Sequence, residues 1–290
     1  MKKLFIFVTT LSFLGISSLL SPVLSQETSA TPSSMTSQNT NFDKAYEDYV
    51  AEIKDYQKAR EEYLLRRSQF LRFQSLKSRQ DAQEATVSFL EKRDNVVTSY
   101  LAVLQARIFE AIGVSDVRKE ALNLRLSEEI GWFKDHRDTI PSAGTLDDLV
   151  KDSDEAKKRW ESIGPLIYEA LSTVSYGRII DFANRTELLL GDAKSKLEEI
   201  KSDEREEYKF SNEKFEVLDR WIFETESRIV RSKEKMLDVE NLISLMIKQK
   251  KDLVRAHNEI IQVLGESQLF LKEANSFMKE IIREVKTAEE

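Results

Sequence analysis

From Phe215 to the end of the chain, apolar residues return every three and four positions for ten consecutive heptads. Little besides long, packed helix satisfies such a pattern. With Phe215 as position a, the a series is Phe215, Ile222, Ile229, Met236, Ile243, Lys250, His257, Leu264, Leu271, Met278 and Val285. The d series is Leu218, Thr225, Ser232, Val239, Met246, Leu253, Ile260, Ser267, Ala274 and Ile281. Sixteen of these twenty-one positions are apolar and no proline interrupts them, so the segment reads as helix; unbroken, it would be about 110 Å long. Leu242, Ile247, Val254, Ile261, Phe270, Phe277 and Ile282 widen the seam toward e and g. A stripe that broad needs two or more covering helices, as in a bundle.

The upstream chain is punctuated in the same way. A first helix over about 42–74 carries Phe42, Tyr49, Tyr56, Tyr63 and Phe70 at a strict spacing of seven, which puts them on one seam among charges of alternating sign. Tyr49, Tyr56 and Tyr63 are candidate interaction positions, with burial in a core seam as the plainer use of the same spacing. Ser78 followed by Asp81 has the form of a capping box for a second helix reaching Ile112 before Gly113. Its stretch 96–104 is apolar on several faces and reads as the most buried part of the domain. Ser115 opens a third helix to about Thr139, with Leu122, Leu126, Ile130 and Phe133 on one face. Thr145 and Asp148 form a second capping box, for a helix over 146–163. Gly164-Pro165 then breaks or kinks the chain and marks a sub-boundary before a fifth helix through Leu171, Val174, Ile180, Leu190 and Leu197. That helix ends or extends as solvated helix in the charge-dense region 202–214. The expected fold class is all-α, an elongated antiparallel helical bundle with long coiled-coil-like helices, forming a single domain over 42–290.

The N-terminus reads differently. Lys2 and Lys3 precede an uncharged, largely apolar stretch over 4–20, then Pro22 and Val23-Leu24-Ser25, which is the layout of a secretory signal peptide cleaved after Ser25. No cysteine follows to carry a lipid. The alternative, a retained anchor, is disfavoured by Thr9, Thr10, Ser12, Ser17 and Ser18. Cleavage would leave 42 basic against 51 acidic residues, a balance that does not invite nucleic acid. Residues 26–41 contain eight Ser or Thr and only Ala30 and Met35 as apolar residues, too little to bury, and read as a flexible linker.

The chain has no cysteine, two histidines, four prolines and eight glycines, which removes thiol chemistry and thiolate metal sites and leaves little for acid–base work. No two glycines of the mature chain lie closer than thirteen residues apart, so phosphate-cradling loops are absent. There is no nucleophile elbow. Ser232-x-x-Lys235 and Ser276-x-x-Lys279 match a β-lactamase-like spacing without its companion motifs. Neither histidine has a glutamate three residues before it, as carboxylate-bridged metal bundles require; Glu129, Trp132 and His136 share a helical face beside Asp135 and Asp138. At most this is a weak metal or acid–base constellation. Lys250 and His257, at consecutive a positions, are candidate register-setting residues, with a pH response as the secondary use of His257. Lys248, Lys250, Lys251 and Arg255 form a dense basic run around Asp252, which reads as a solvated face. Asn184-Arg185-Thr186 matches a glycosylation sequon but falls mid-helix.

No catalytic residue, metal or cofactor is expected. The leading expectation is a non-catalytic protein, secreted or held at the cell surface or in the periplasm of a bacterium. It would act as scaffold, spacer or protein–protein interaction module, through a protein partner or self-association. A membrane-active or lipid-binding bundle that stores the uncharged stretch 95–106 is the alternative, although twelve residues are too few to span a bilayer. An enzyme acting on cell-wall polymer is third.

Overall fold

The computed structural model describes residues 41–202 and 210–287. The expected signal peptide, the expected linker up to residue 40 and most of the charge-dense region after Ser202 lie outside the described residues. Among those described there are seven α-helices and no strand. They are α1 (Asn41–Phe73), α2 (Leu76–Phe109), α3 (Asp116–Thr139), α4 (Leu146–Ser162), α5 (Gly164–Ser202), α6 (Asn212–Gln249) and α7 (Leu253–Thr287), with a 3₁₀ turn at Ile140–Ser142. The protein is an all-α helical bundle protein. Its described residues fall into two compact units, one holding 41–103 and 128–161, the other 104–127 and everything from Ser162 onward. One junction lies just before Gly164-Pro165. The others fall inside α2 and α3, where neither proline nor polar linker marks them in the sequence.

In the first unit the aromatic spacing of α1 meets α2 running the opposite way. Tyr49 packs on Tyr100 with ring centroids 5.8 Å apart, and Tyr56 and Tyr63 stack on Phe89 at 5.4 and 4.8 Å. Tyr49 and Tyr63 are buried and Tyr56 is half-buried. Tyr63, Phe89, Leu90, Ile140, Leu146 and Leu149 close one core cluster. The α1–α2 turn differs from the expected capping box. Helix α2 starts earlier, at Leu76, because Ser75 and Ser78 cap each other: each hydroxyl accepts the other residue's N–H at 3.1 Å. Asp81 is left to pair with Lys77 at 2.7 Å. The Thr145–Asp148 box does form, with the Asp148 N–H donating to Thr145 Oγ1 at 3.2 Å and the Thr145 hydroxyl donating to the Asp148 carboxylate at 2.7 Å.

In the second unit α5, α6 and α7 form a three-helix bundle, and here the sequence expectation of one long final helix is corrected. The helix stops at Gln249 and restarts at Leu253. Residues 248–252 are Lys-Gln-Lys-Lys-Asp, five consecutive polar residues with no stripe to bury. Lys250 and Asp252 take left-handed backbone (φ 52° and 47°), and the Lys250 N–H closes α6 on the Met246 carbonyl. Left-handed residues other than glycine cost about 1–2 kcal/mol each. The return covers both halves of the stripe: Arg228 meets Glu273 at 2.8 Å, Lys235 meets Glu266 at 2.7 Å and Lys214 meets Glu284 at 2.9 Å, as two helices running antiparallel require. Leu218, Ile229, Val239, Ile243, Ile260, Leu271, Ala274 and Ile281 fill the seam with Leu197 and Ile200 of α5. Ser232 and Ser267 oppose each other there, hydroxyls 2.8 Å apart. A slip of one heptad would set Ser232 against Ile260 or Ala274 and strand both hydroxyls, so the pair fixes register.

The second helix also ends earlier than expected, at Phe109, because the turn to Gly113 (φ +77°) takes three more residues. Within the second unit this turn lies against α5 at Gly177. A Cβ on Gly177 would sit 2.6 Å from the Ile112 carbonyl and 2.4 Å from a Val114 methyl, closer than packing allows. Gly177→Ala is therefore expected to cost about 1–3 kcal/mol of overpacking, read as a lower denaturant midpoint. Gly191→Ala, with open space around it, serves as the matched control on the same helix and should be neutral or stabilising.

Candidate functional site

The chain's two histidines are its side chains whose ordinary pKa lies near neutral pH, and each unit holds one. In the first unit His136 sits in the last turn of α3, buried. Its Nδ1 lies 2.5 Å from Asp94 Oδ2 on α2 and its Nε2 3.0 Å from the Asp152 carbonyl on α4. The Asp152 carbonyl can only accept, so Nε2 donates to it, and Nδ1 shares a hydrogen bond with the Asp94 carboxyl. Trp132 stacks on it at 5.1 Å and 15°. Arg93 donates through Nε to Asp94 Oδ1 at 3.0 Å and through Nη1 to Ser153 at 3.1 Å. Burial by itself pushes the His136 pKa down. The Asp94 hydrogen bond and charge outweigh it, helped by the Asp152 carbonyl and opposed by Arg93, and the group titrates above its ordinary value.

The face Glu129–Trp132–His136 seen in the sequence is real, but its members are engaged elsewhere. Glu129 takes two hydrogen bonds from Arg159 at 2.6 and 2.9 Å, and that guanidinium lies over Trp132 at 5.4 Å. Asp138 pairs with Arg137 at 2.7 Å. Among the described residues no group of three His, Cys, Asp or Glu is placed to hold a metal ion. The arrangement joins α2, α3 and α4 through a buried charge network. The partner that sequence reasoning missed is Asp94, which ends the charged run Glu91-Lys92-Arg93-Asp94 and so carries no signal that sets it apart from an ordinary solvated face.

In the second unit His257 on α7 is buried against α5. Its Nδ1 lies 2.9 Å from the Ser172 hydroxyl, and the Tyr168 ring is 5.3 Å away. Nε2 has no hydrogen-bond partner among the described residues, and burial holds the pKa below the usual histidine value. Lys250, expected beside it in the seam, is instead the C-cap of α6, outside the seam. The two are not brought together as a polar pair. Tyr49, Tyr56 and Tyr63 face α2 rather than solvent, which leaves little of them for a partner; burial raises the pKa of all three. The uncharged stretch 95–106 is core, with Val96, Val97, Tyr100, Leu101, Val103 and Leu104 buried. Ser232 of the first Ser-x-x-Lys match bonds Ser267, and Lys235 pairs with Glu266. Among the described residues no helix is long and apolar enough to cross a membrane. One open groove of the first unit is lined by Gln83, Glu84, Val87, Glu91, Pro141 and Ala143.

Against this geometry, no known protein family, no curated protein and no solved structure matches the chain.

The two histidines bend stability in opposite directions. The raised His136 binds its proton more tightly folded than unfolded, so its contribution is complete below about pH 6.5 and is lost as pH rises through the raised folded value. His257 stays neutral when folded, so stability falls as pH drops below about 6.5 and the unfolded chain takes up a proton the folded one refuses. Denaturant midpoints across pH should fall on both sides of a maximum, and His136→Gln should flatten the alkaline side alone. Asp94→Asn leaves the buried His136 and the half-buried Arg93 short of an anion and is expected to cost about 3–5 kcal/mol, read by the same titration.

Proposed function

We propose that the protein is a secreted, non-catalytic helical module, a spacer or scaffold that presents helix faces to a protein partner or to another copy of itself. The observation that carries this reading is how His136 is used. The residue best suited to proton transfer has both ring nitrogens bonded to neighbouring helices, and its carboxylate partner is fully buried. A working acid or base needs one nitrogen open to substrate. The N-terminal signal-peptide pattern supports export.

The surface offers one seam that the bundle does not use. On α6, Phe223, Val230 and Leu237 follow one another at a spacing of seven and are all exposed. This apolar line is supported from below by ties to α5: Lys194 to Glu226, Lys233 to Glu187, and the Tyr176 hydroxyl donating to Glu240 at 2.5 Å. A rigid, regularly spaced stripe of that kind suits a partner helix.

Photo-crosslinking residues placed at 223, 230 and 237 in the exporting cell test the reading. A discrete adduct with one protein, or with a second copy, is expected at these positions, and none at exposed Asp154 on α4. Absence of any adduct along the stripe in cells that export the chain would count against it.

A further inference from the structure

The α1–α2 turn of the first unit has a second property that the core does not explain. Phe70 is the last residue of α1 to pack on the core cluster, and residues 71–77 are all exposed. Three of these seven are large and apolar: Leu71, Phe73 at 63% exposure and Leu76 at 74%. The turn that displays them is built, not loose. Gln74 takes left-handed backbone (φ 49°) with its N–H on the Phe70 carbonyl at 2.9 Å, and the reciprocal Ser75–Ser78 cap follows at once. Folding gains nothing from holding phenylalanine and leucine in water.

The charge there is also out of character. Residues 63–80 hold Arg66, Arg67, Arg72, Lys77 and Arg79 and no acidic residue, in a chain whose net charge is −7. Glu62 and Asp81, just outside, take Arg66 at 2.6 Å and Lys77 at 2.7 Å and so brace the two stems. The Arg72 guanidinium lies 5.3 Å from the Phe73 ring centroid, which keeps a cation beside the most protruding ring. Five cations spread over fourteen residues do not register as a dense run in sequence; the turn gathers them at one end of a hairpin.

We propose that the α1–α2 turn is a membrane-surface docking element. Leu71, Phe73 and Leu76 enter the interfacial zone of a bilayer while Arg72 and Arg79 meet anionic lipid headgroups. Charge complementarity commits the occupant to an acidic surface, and shape selects lipid over protein. One exposed turn is far short of the roughly 800 Å² per partner that a stable protein interface buries. A bilayer deforms around a protruding apolar tip and needs no matching pocket. The proposal goes beyond the module reading and stands or falls independently of it.

Because the full chain lacks cysteine, Leu76→Cys carries a single environment-sensitive label at the tip, with Lys58→Cys on the exposed flank of α1 as control. Equal helical circular dichroism confirms that both fold. The label at 76 is expected to shift to the blue and brighten on phosphatidylcholine vesicles containing phosphatidylglycerol, to revert at high salt, and to stay unchanged at 58. Arg72→Glu with Arg79→Glu should weaken vesicle partitioning roughly tenfold or more, since each cation near an anionic surface contributes about fivefold. No shift at 76, or an equal shift on phosphatidylcholine alone, would overturn the proposal. A shift that grows with protein concentration in the absence of vesicles would overturn it in favour of a second copy.

Discussion

An apolar stripe ten heptads long cannot stand in water, and the way it is covered decides the second unit. A straight helix would have needed other chains along its whole length. Instead, where 248–252 offers nothing to bury, the helix ends and returns, so that each half of the stripe becomes the cover for the other. Two left-handed residues are the local cost, small beside the burial of the seam along both helices. The stripe is broader than a hairpin alone can cover, and α5 takes the remainder through Leu190, Leu197 and Ile200. That third helix is in turn held by Gly177 against the α2–α3 turn.

Polar groups inside both units serve this packing. Ser232 and Ser267 fix which residues oppose one another along the hairpin. The Asp94–His136–Arg93 network does the corresponding work in the first unit, tying three helices at one level through directional bonds. A buried pair of this kind adds less net stability than its Coulomb energy suggests, because desolvation offsets it. What it sets is the relative placement of the helices that carry it. Both ring nitrogens of His136 are taken up by that placement.

Helix type and most of the seam membership were legible in the sequence because they rest on periodicity: the Tyr49–Tyr56–Tyr63 ladder, the Thr145–Asp148 box and the apolar members of the a and d series lie where their spacing implies, while Lys250 falls outside the seam. The break at 250–252 was not, since a heptad count runs through a polar turn without losing phase, and Lys250 and His257 then read as neighbours in one seam. Likewise Ser78 was seen as a cap while its true partner, Ser75, lay one turn earlier. Contacts between helices distant in sequence, such as Asp94 with His136 or Ser172 with His257, have no periodic signature. The same is true of the α1–α2 tip, whose meaning depends on which residues the fold leaves uncovered.

The central claim, that the heptad segment covers itself by folding back, is tested most directly by a disulfide. The chain has no cysteine of its own, and the Ser232 and Ser267 hydroxyls lie 2.8 Å apart. Ser232→Cys with Ser267→Cys should oxidise to an intramolecular bridge within a single chain, seen as a faster-migrating monomer on a non-reducing gel. In an unbroken helix the same two positions would be about 52 Å apart. Bridges found only between chains would contradict the fold-back.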